Sequence, residues 1–400
     1  MKYQKRNQFD VTFETYKTIQ NKLDLCKNSL KDKRVFLAID GFIDSLYSAV
    51  KTRRDLDDWN NFNTIKAFAE RIISFAGSSG NIELILKKQT SGGFVPNNAK
   101  ALNALEINLF LLGALGHPNI KQSFEELNKN KSIKIKSITN PGKTYGLEFN
   151  DGKVMLSDLE NLYKIKWENL IQIISEEEII KEMEGSDIIG FGYWAIIPEM
   201  TDIWTQLLNR ILPSIKTANK KIFFIDLADV KKRESKDILE MLKILQKIDE
   251  SIPVLLSLND QEAIDLSKTL EDVKRINPNK KSFEDFIDAG RRINKNLGLS
   301  YLIIHSPHFA TCTLKNIEKH YWVTEGFTKE PSYTVSAGDH FNSGMLGGLL
   351  CNLSPPEALL MGNALTAIFV RTGISPDFIQ LKKFINNYMT YIYDDLPTLI

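Results

Sequence analysis

The stretch TVSAGDHFNSGMLGGLL (334–350) decides how the rest of the chain is read. Small residues Ser336, Ala337 and Gly338 lead into Asp339, where a helix begins. Phe341, Met345 and Leu349 give that helix an apolar face. Consecutive backbone N–H groups at a helix start suit an anion. A carboxylate in the same turn repels that anion unless it has a task of its own. Taking a proton from a hydroxyl that attacks phosphorus is such a task. Ser336 and Asp339 also fit the S-x-x-D capping box, so this stretch alone leaves both readings open.

Working outward, runs nearly continuous in apolar residues recur at 34–41, 107–116, 186–195, 221–228, 253–259 and 301–306. They suit strands buried on both faces. Amphipathic helices are predicted between them over 167–183, 199–212, 235–248 and 283–298. The alternation predicts an α/β domain with a central, mostly parallel sheet and helices on both faces. KTYGLEFNDGKVMLSD (143–158) predicts a β-hairpin turning at Asn150-Asp151-Gly152, an insertion of the kind that covers a site. A late, almost wholly apolar helix over 354–373 has Ser354 as N-cap, Pro355 at its first position, Glu357 at its third and Gly373 as its stop. Residues 1–33 read as a helical lead-in, with Phe13, Tyr16, Ile19 and Leu23 at helical spacing, and 34–400 as the main domain.

Composition narrows the function. The 400 residues are 43% apolar and 25% charged, an ordinary globular balance. Lys and Arg number 51 against 50 Asp and Glu, so no positive field exists to hold a nucleic-acid backbone. Cys26, Cys312 and Cys351 are odd in number and far apart, and make neither a disulfide framework nor a zinc spacing. They read as buried thiols of a reducing cytoplasm. The first residues lack a signal peptide's apolar stretch, and no run approaches eighteen apolar residues, so no membrane partner is expected.

Three further segments carry candidate chemistry. In SGGFVPNNAKALNAL (91–105), Gly92 and Gly93 admit close backbone approach, and Asn97 and Asn98 offer amides to a polyhydroxylated ligand. The alternative is a glycine turn capped by Asn97. In IDGFID (39–44), Asp40 and Asp44 lie at a strand's carboxyl end, where open α/β sheets bind ligands and carboxylates suit sugar hydroxyls. In SLNDQEA (257–263), Asn259 and Glu262 share a face and fit either a hydrated Mg²⁺ or a helix cap. Pro141-Gly142-Lys143-Thr144 ends like a phosphate-binding P-loop, but Ser137 replaces the required glycine and a strand-like run follows.

Taken in order, these segments resemble the ribokinase family, the PfkB carbohydrate kinases, over roughly residues 34–390. The family's D-T-x-G-A-G-D-x-F-x-x-G is met by residues 333–344, its G-G-x-x-x-N-x-A by Gly92, Gly93, Asn97 and Ala99, and its N-x-x-E by Asn259 and Glu262. The resemblance implies a ribokinase-like three-layer α/β/α domain with a small β lid, built partly from 143–158. It implies ATP-dependent transfer of a phosphoryl group to a hydroxyl of a sugar or sugar-like molecule. Asp339 would be the base, with the 336–339 turn (amides of Ala337, Gly338 and Asp339) as the anion hole. Asp40, Asp44, Gly92, Gly93 and Asn97 would hold the acceptor. Asn259 and Glu262 would organise Mg²⁺ and the nucleotide phosphates, and Asn363 would line the nucleotide pocket. A nucleoside acceptor, or a non-catalytic binding protein on the kinase scaffold, are the alternatives. Lids of this family pair between subunits in some members, which leaves a homodimer open.

Three positions depart from the pattern. Tyr333 replaces the signature's opening Asp, and Ser336 its first Gly, which a Cβ tolerates where φ stays negative. His305–Ala310 replaces the T-L-G-x-x-G nucleotide loop, and His305 or Phe309 is expected to stack on a base in its place.

Overall fold

Apolar strand residues point alternately to two faces, and both faces are covered. In β1 (Arg34–Ala38), Phe36 and Ala38 enter one core while Val35 and Leu37 enter the other. The computed structural model describes residues 5–270, 283–324, 326 and 328–393. After β1 come β2 (Phe42–Arg53), β3 (Trp59–Asn61), β4 (Leu84–Gly92), β5 (Asn108–Gly113), β6 (Ile133–Ser137), β7 (Gly142–Phe149) and β8 (Gly152–Asp158). Then follow β9 (Ile188–Gly192), β10 (Ile222–Asp226), β11 (Val254–Asn259), β12 (Tyr301–His305), β13 (Phe309–Leu314) and β14 (His320–Thr324).

Nine of these strands form one sheet in the order β14-β13-β12-β11-β10-β9-β1-β5-β6. It is parallel from β12 to β6, and only β13 and β14 run antiparallel. One face packs helices that include Ser235–Asp249 and Phe283–Leu297. The other packs Phe94–Ala104, Ala337–Leu350 and Pro355–Thr372. This is the expected three-layer arrangement.

A five-stranded second sheet has the order β3-β2-β7-β8, with β4 on β2. The 143–158 hairpin is there, with β7 antiparallel to β8. The Gly142-Lys143-Thr144 segment lies in β7, as a strand and not a phosphate loop. This sheet is larger than the expected hairpin, because β2, β3 and β4 belong to it. Only three residues separate its first strand from the end of β1.

Several element boundaries differ from expectation. The 167–183 helix is two, Trp167–Ile173 and Glu176–Glu184, because Ser175 leaves the helix and its side chain accepts from the Glu178 N–H. The 199–212 helix keeps α geometry only over Met200–Gln206 and widens over Leu207–Ile211. The lead-in forms Lys5–Gln20 and Leu23–Leu30. Ile19, Leu23, Cys26 and Leu30 enter the same core as the sheet, but Phe13 is exposed. Thr12 faces inward at that turn, its hydroxyl 3.0 Å from that of Thr324 on β14. The late helix matches its expected caps: Ser354 and Glu357 form a capping box, and Gly373 sits at φ 71°. Cys26, Cys312 and Cys351 are free thiols. Among the described residues no helix is long and apolar enough to cross a membrane.

Ala337–Leu350 is held where two helix backbones nearly touch. A Cβ on Gly344 would lie 2.8 Å from the Met361 carbonyl oxygen, and one on Gly362 2.7 Å from that of Phe341. Gly344→Ala should therefore destabilise by about 1–3 kcal/mol through overpacking. A thermal melt indistinguishable from the parent would show that the crossing is not this tight.

Candidate active site

The carboxyl ends of the parallel strands converge on one edge, and every sequence-predicted site segment except Asn363 lies along it. β1 leads into Asp40, β9 into Tyr193, β10 ends on Asp226, β11 on Asn259 and β12 on His305. This is the edge where open α/β sheets take ligands.

Asp339 is buried in the first turn of Ala337–Leu350. Its two oxygens accept hydrogen bonds from Asn97 Nδ2 (2.9 Å) and Asn98 Nδ2 (3.1 Å). Asn98 is itself oriented: its Nδ2 also donates to the Phe94 carbonyl, and its Oδ1 accepts from the Ser343 hydroxyl. The two asparagines thus hold the carboxylate, and Asn97 is not a helix cap. Asp40 supplies the cap for Phe94–Ala104, accepting from the Phe94 and Val95 N–H groups at 2.9 Å each. Asp40 is fully buried, and burial pushes its carboxyl up to about 7.

The paired glycines are required by these acids. A Cβ on Gly92 would run into the Asp44 carboxylate. Gly93 sits at φ 96°, and a Cβ there would lie 2.7 Å from Asp40 Oδ2. Burial raises Asp44 as well, partly offset by the Thr144 hydroxyl and the Lys100 charge.

The 336–339 turn departs from a capping box. Ser336 is at φ 70° and ψ 9°, in the left-handed region, and its side chain makes no cap bond. The expectation of a negative φ fails because the turn keeps the glycine conformation without the glycine. The Ala337 N–H donates to the Thr334 carbonyl at 3.3 Å. The Gly338 and Asp339 amides belong to the helix's first turn, whose N–H groups have no partner within the helix. Tyr333, in place of the signature's Asp, is partly exposed and lies against Gly373.

Beside the turn opens a cavity of about 480 Å³, lined by Ala337, Gly338, Phe341, Asn259, His305 and Thr366 among others. That is a size suited to a small-molecule ligand. The His305 ring stacks on Phe341 at 4.6 Å, and burial lowers its pKa to about 4, so it is neutral. Phe309 does not reach the cavity. It is buried against Phe286 on the far face of the sheet, because β13 begins at that residue and its side chain alternates inward. Ser306, Pro307 and His308 of the preceding turn line the cavity instead. Asn363 also misses it: fully buried, its amide donates to the Thr324 carbonyl and to the Tyr388 hydroxyl. Thr366, Ala367 and Val370, further along the same helix, form the wall.

Asn259 and Glu262 form a full capping box: the Asn259 N–H donates to Glu262 Oε2, and the Glu262 N–H donates to Asn259 Oδ1, both at 2.9 Å. Glu262 is nonetheless unlike an ordinary cap. Burial first, then the charge of Asp226, raises its pKa well above the usual carboxylate range. Asp226 is the acid that sequence reasoning passed over. It accepts from the Ala228 N–H and from Asn342 Nδ2, at 3.1 Å each. Burial pushes it up to about 6, and its charge in turn raises Asp339. An acid closing an apolar strand was the signal, as it was for Asp40. Among the described residues no three His, Cys, Asp or Glu form a metal cage. Two buried, mutually repelling carboxylates are a donor set that fits Mg²⁺, which takes one or two carboxylates and completes its shell with phosphate and water.

Known proteins resemble this chain along nearly its whole length. The profile of the prokaryotic ketohexokinase family matches residues 11–388. A ketohexokinase of Haloferax volcanii is 28% identical over 376 residues, covering 92% of this chain and 96% of that protein. A structure of Arabidopsis thaliana ribokinase complexed with ribose and ATP aligns with a TM-score of 0.62 at 16% identity, over 88% of this chain and 98% of that one. A Methanocaldococcus jannaschii nucleoside kinase aligns at 0.53 and 11% identity, over 89% and 98%. These two structures share the fold. With the profile spanning nearly its whole length, the chain belongs to the prokaryotic ketohexokinase family and is a sugar kinase built on the ribokinase fold.

Proposed function

We propose that the protein transfers the γ-phosphoryl group of ATP to a hydroxyl of a ketohexose. The observation that carries this is the Asp339 carboxylate, gripped by Asn97 and Asn98 at a helix start that has the glycine cradle on one side and the cavity on the other. The ketohexose follows from the name of the Haloferax volcanii relative.

In this reading the acceptor lies over Gly92 and Gly93, within reach of Asp44. Asp40 acts indirectly, by fixing the start of the helix that carries both asparagines. As the acceptor oxygen bonds to the γ-phosphorus and the bond to the ADP oxygen breaks, Asp339 takes the hydroxyl proton. Its raised pKa makes it a stronger base than an ordinary carboxylate. The Gly338 and Asp339 amides offer hydrogen bonds to the transferring group. The nucleotide occupies the cavity, against His305 and Phe341. Glu262 and Asp226 would hold Mg²⁺, which neutralises phosphate charge when bound.

Three sets of outcomes test the assignment, the first on the base and the acceptor. Asp339→Asn should lower kcat about 10²–10⁴-fold and leave binding of fructose and ATP nearly intact; a variant that keeps most of its turnover refutes the base. Fructose should outperform a panel of aldoses and nucleosides in the same assay, and a preferred nucleoside would overturn the acceptor class.

The second concerns pH. Asp339 must be ionised to take the proton, so kcat/KM should fall as pH drops through its raised pKa. Asp226→Asn removes one cause of that elevation, and the acid limb should move to lower pH. A limb that stays in place excludes this coupling.

The third separates the two aromatic candidates. His305→Ala should weaken ATP binding, measured by calorimetry, with little effect on the fructose KM. Phe309→Ala should instead cost about 3–5 kcal/mol of stability as a core truncation. Unchanged ATP affinity in His305→Ala removes His305 from the nucleotide site.

A further inference from the structure

Ser336 occupies a backbone conformation that costs an L-residue free energy and costs glycine none, yet here it has a side chain. Something must hold it there, and the next helical turn supplies the candidate. The Ser336 carbonyl accepts two hydrogen bonds from one residue: the His340 backbone N–H at 3.1 Å and His340 Nδ1 at 2.8 Å. A carbonyl has no proton to give, so Nδ1 carries it. The other ring nitrogen, Nε2, lies 2.8 Å from the Ser375 hydroxyl, which donates to it in the neutral ring. The imidazole is 3% exposed and stacks face to face on Phe369, with centroids 3.6 Å apart and planes 14° from parallel. Burial lowers its pKa to about 4, in keeping with a neutral ring. The next carbonyl, that of Ala337, is held by the Thr366 hydroxyl at 2.8 Å. Both carbonyls of the turn are therefore held by side chains, that of Ser336 by His340 and that of Ala337 by Thr366 of the cavity wall.

We propose that His340 is a positioning residue for phosphoryl transfer. Its Nδ1–H clamps the Ser336 carbonyl, holding a turn without glycine in the left-handed conformation and, through it, the adjoining Asp339. The proposal rests on the reading of Asp339 as the base. It makes the side chains at 336 and 340 one unit: without a Cβ at 336 the clamp has nothing to hold against.

The test is a two-background comparison. His340→Phe keeps a ring on Phe369 and removes the donor, and it is made both in the parent and in the Ser336→Gly background. Each protein is melted without ligand, then assayed with ATP, Mg²⁺ and fructose. In the parent background, the substitution should lower kcat roughly ten-fold, the size of the left-handed penalty, with both KM values little changed. In the Ser336→Gly background it should lower kcat less than about two-fold, since glycine bears no such penalty. The fall in melting temperature should shrink in parallel. Equal losses of kcat and of melting temperature in the two backgrounds would overturn the clamp, leaving His340 as packing alone. Should His340→Phe fail to fold, His340→Ala in the same backgrounds replaces it. If the parent protein transfers no phosphoryl group to any acceptor, the functional reading falls, and the ligand-free melts still decide the clamp on the same criterion.

Discussion

Five carboxylates, Asp40, Asp44, Asp226, Glu262 and Asp339, gather at one edge of the main sheet, and none forms an ion pair with a Lys or Arg among the described residues. Burial raises the pKa of every one of them. Uncompensated charge in such a place works against folding. What offsets it is mainly a set of neutral donors: backbone N–H groups for Asp40, Asp226 and Glu262, side-chain amides for Asp226 and Asp339, and the Thr144 hydroxyl for Asp44, which also has the Lys100 charge nearby. Those donors come from elements that meet only because the sheet brings them together. The capped start of Phe94–Ala104, the glycine crossing behind Ala337–Leu350 and the cap after β11 are all arranged around negative charge kept dry.

Much of this edge was legible in the chain. Buried parallel strands declare themselves as continuous apolar runs, and six such runs are β1, β5, β9, β10, β11 and β12. The Asp339 turn, the paired glycines and the Asn259–Glu262 pair are local motifs whose spacing survives divergence. The hairpin at 150–152 needed only its turn residues.

The parts that were not legible share a cause: their partners are remote in sequence. Nothing local says that Asn97 and Asn98 face a carboxylate more than two hundred positions away, or that Asp40 caps a helix beginning at Phe94. The strands β6, β13 and β14 lie at the margins of the sheet, where alternation such as IKIKS replaces the continuous apolar run. Asn363 was placed by resemblance and Phe309 as an alternative to His305 where the resemblance lapses, and both lie away from the cavity by geometry that one helical turn or one strand register decides. Ser336 is the sharpest instance. Its φ could not be read from a motif it violates, because the contact that sustains it comes from a histidine at a position where the signature accepts any residue.

The continuity of β1 with the lid has a mechanical consequence. Only Ile39, Asp40 and Gly41 separate the last strand residue of the rigid sheet from the first of β2, and β2 is the strand on which β3, β4 and β7 are all built. The second sheet is therefore joined to the main sheet through a three-residue link centred on Asp40. A tilt of β2 would turn the backbone that carries this carboxylate; the carboxylate accepts from the first two amides of Phe94–Ala104, and that helix carries the asparagines that grip Asp339. The second sheet and Asp339 are two ends of one short chain of contacts, with the fully buried Asp40 in its middle.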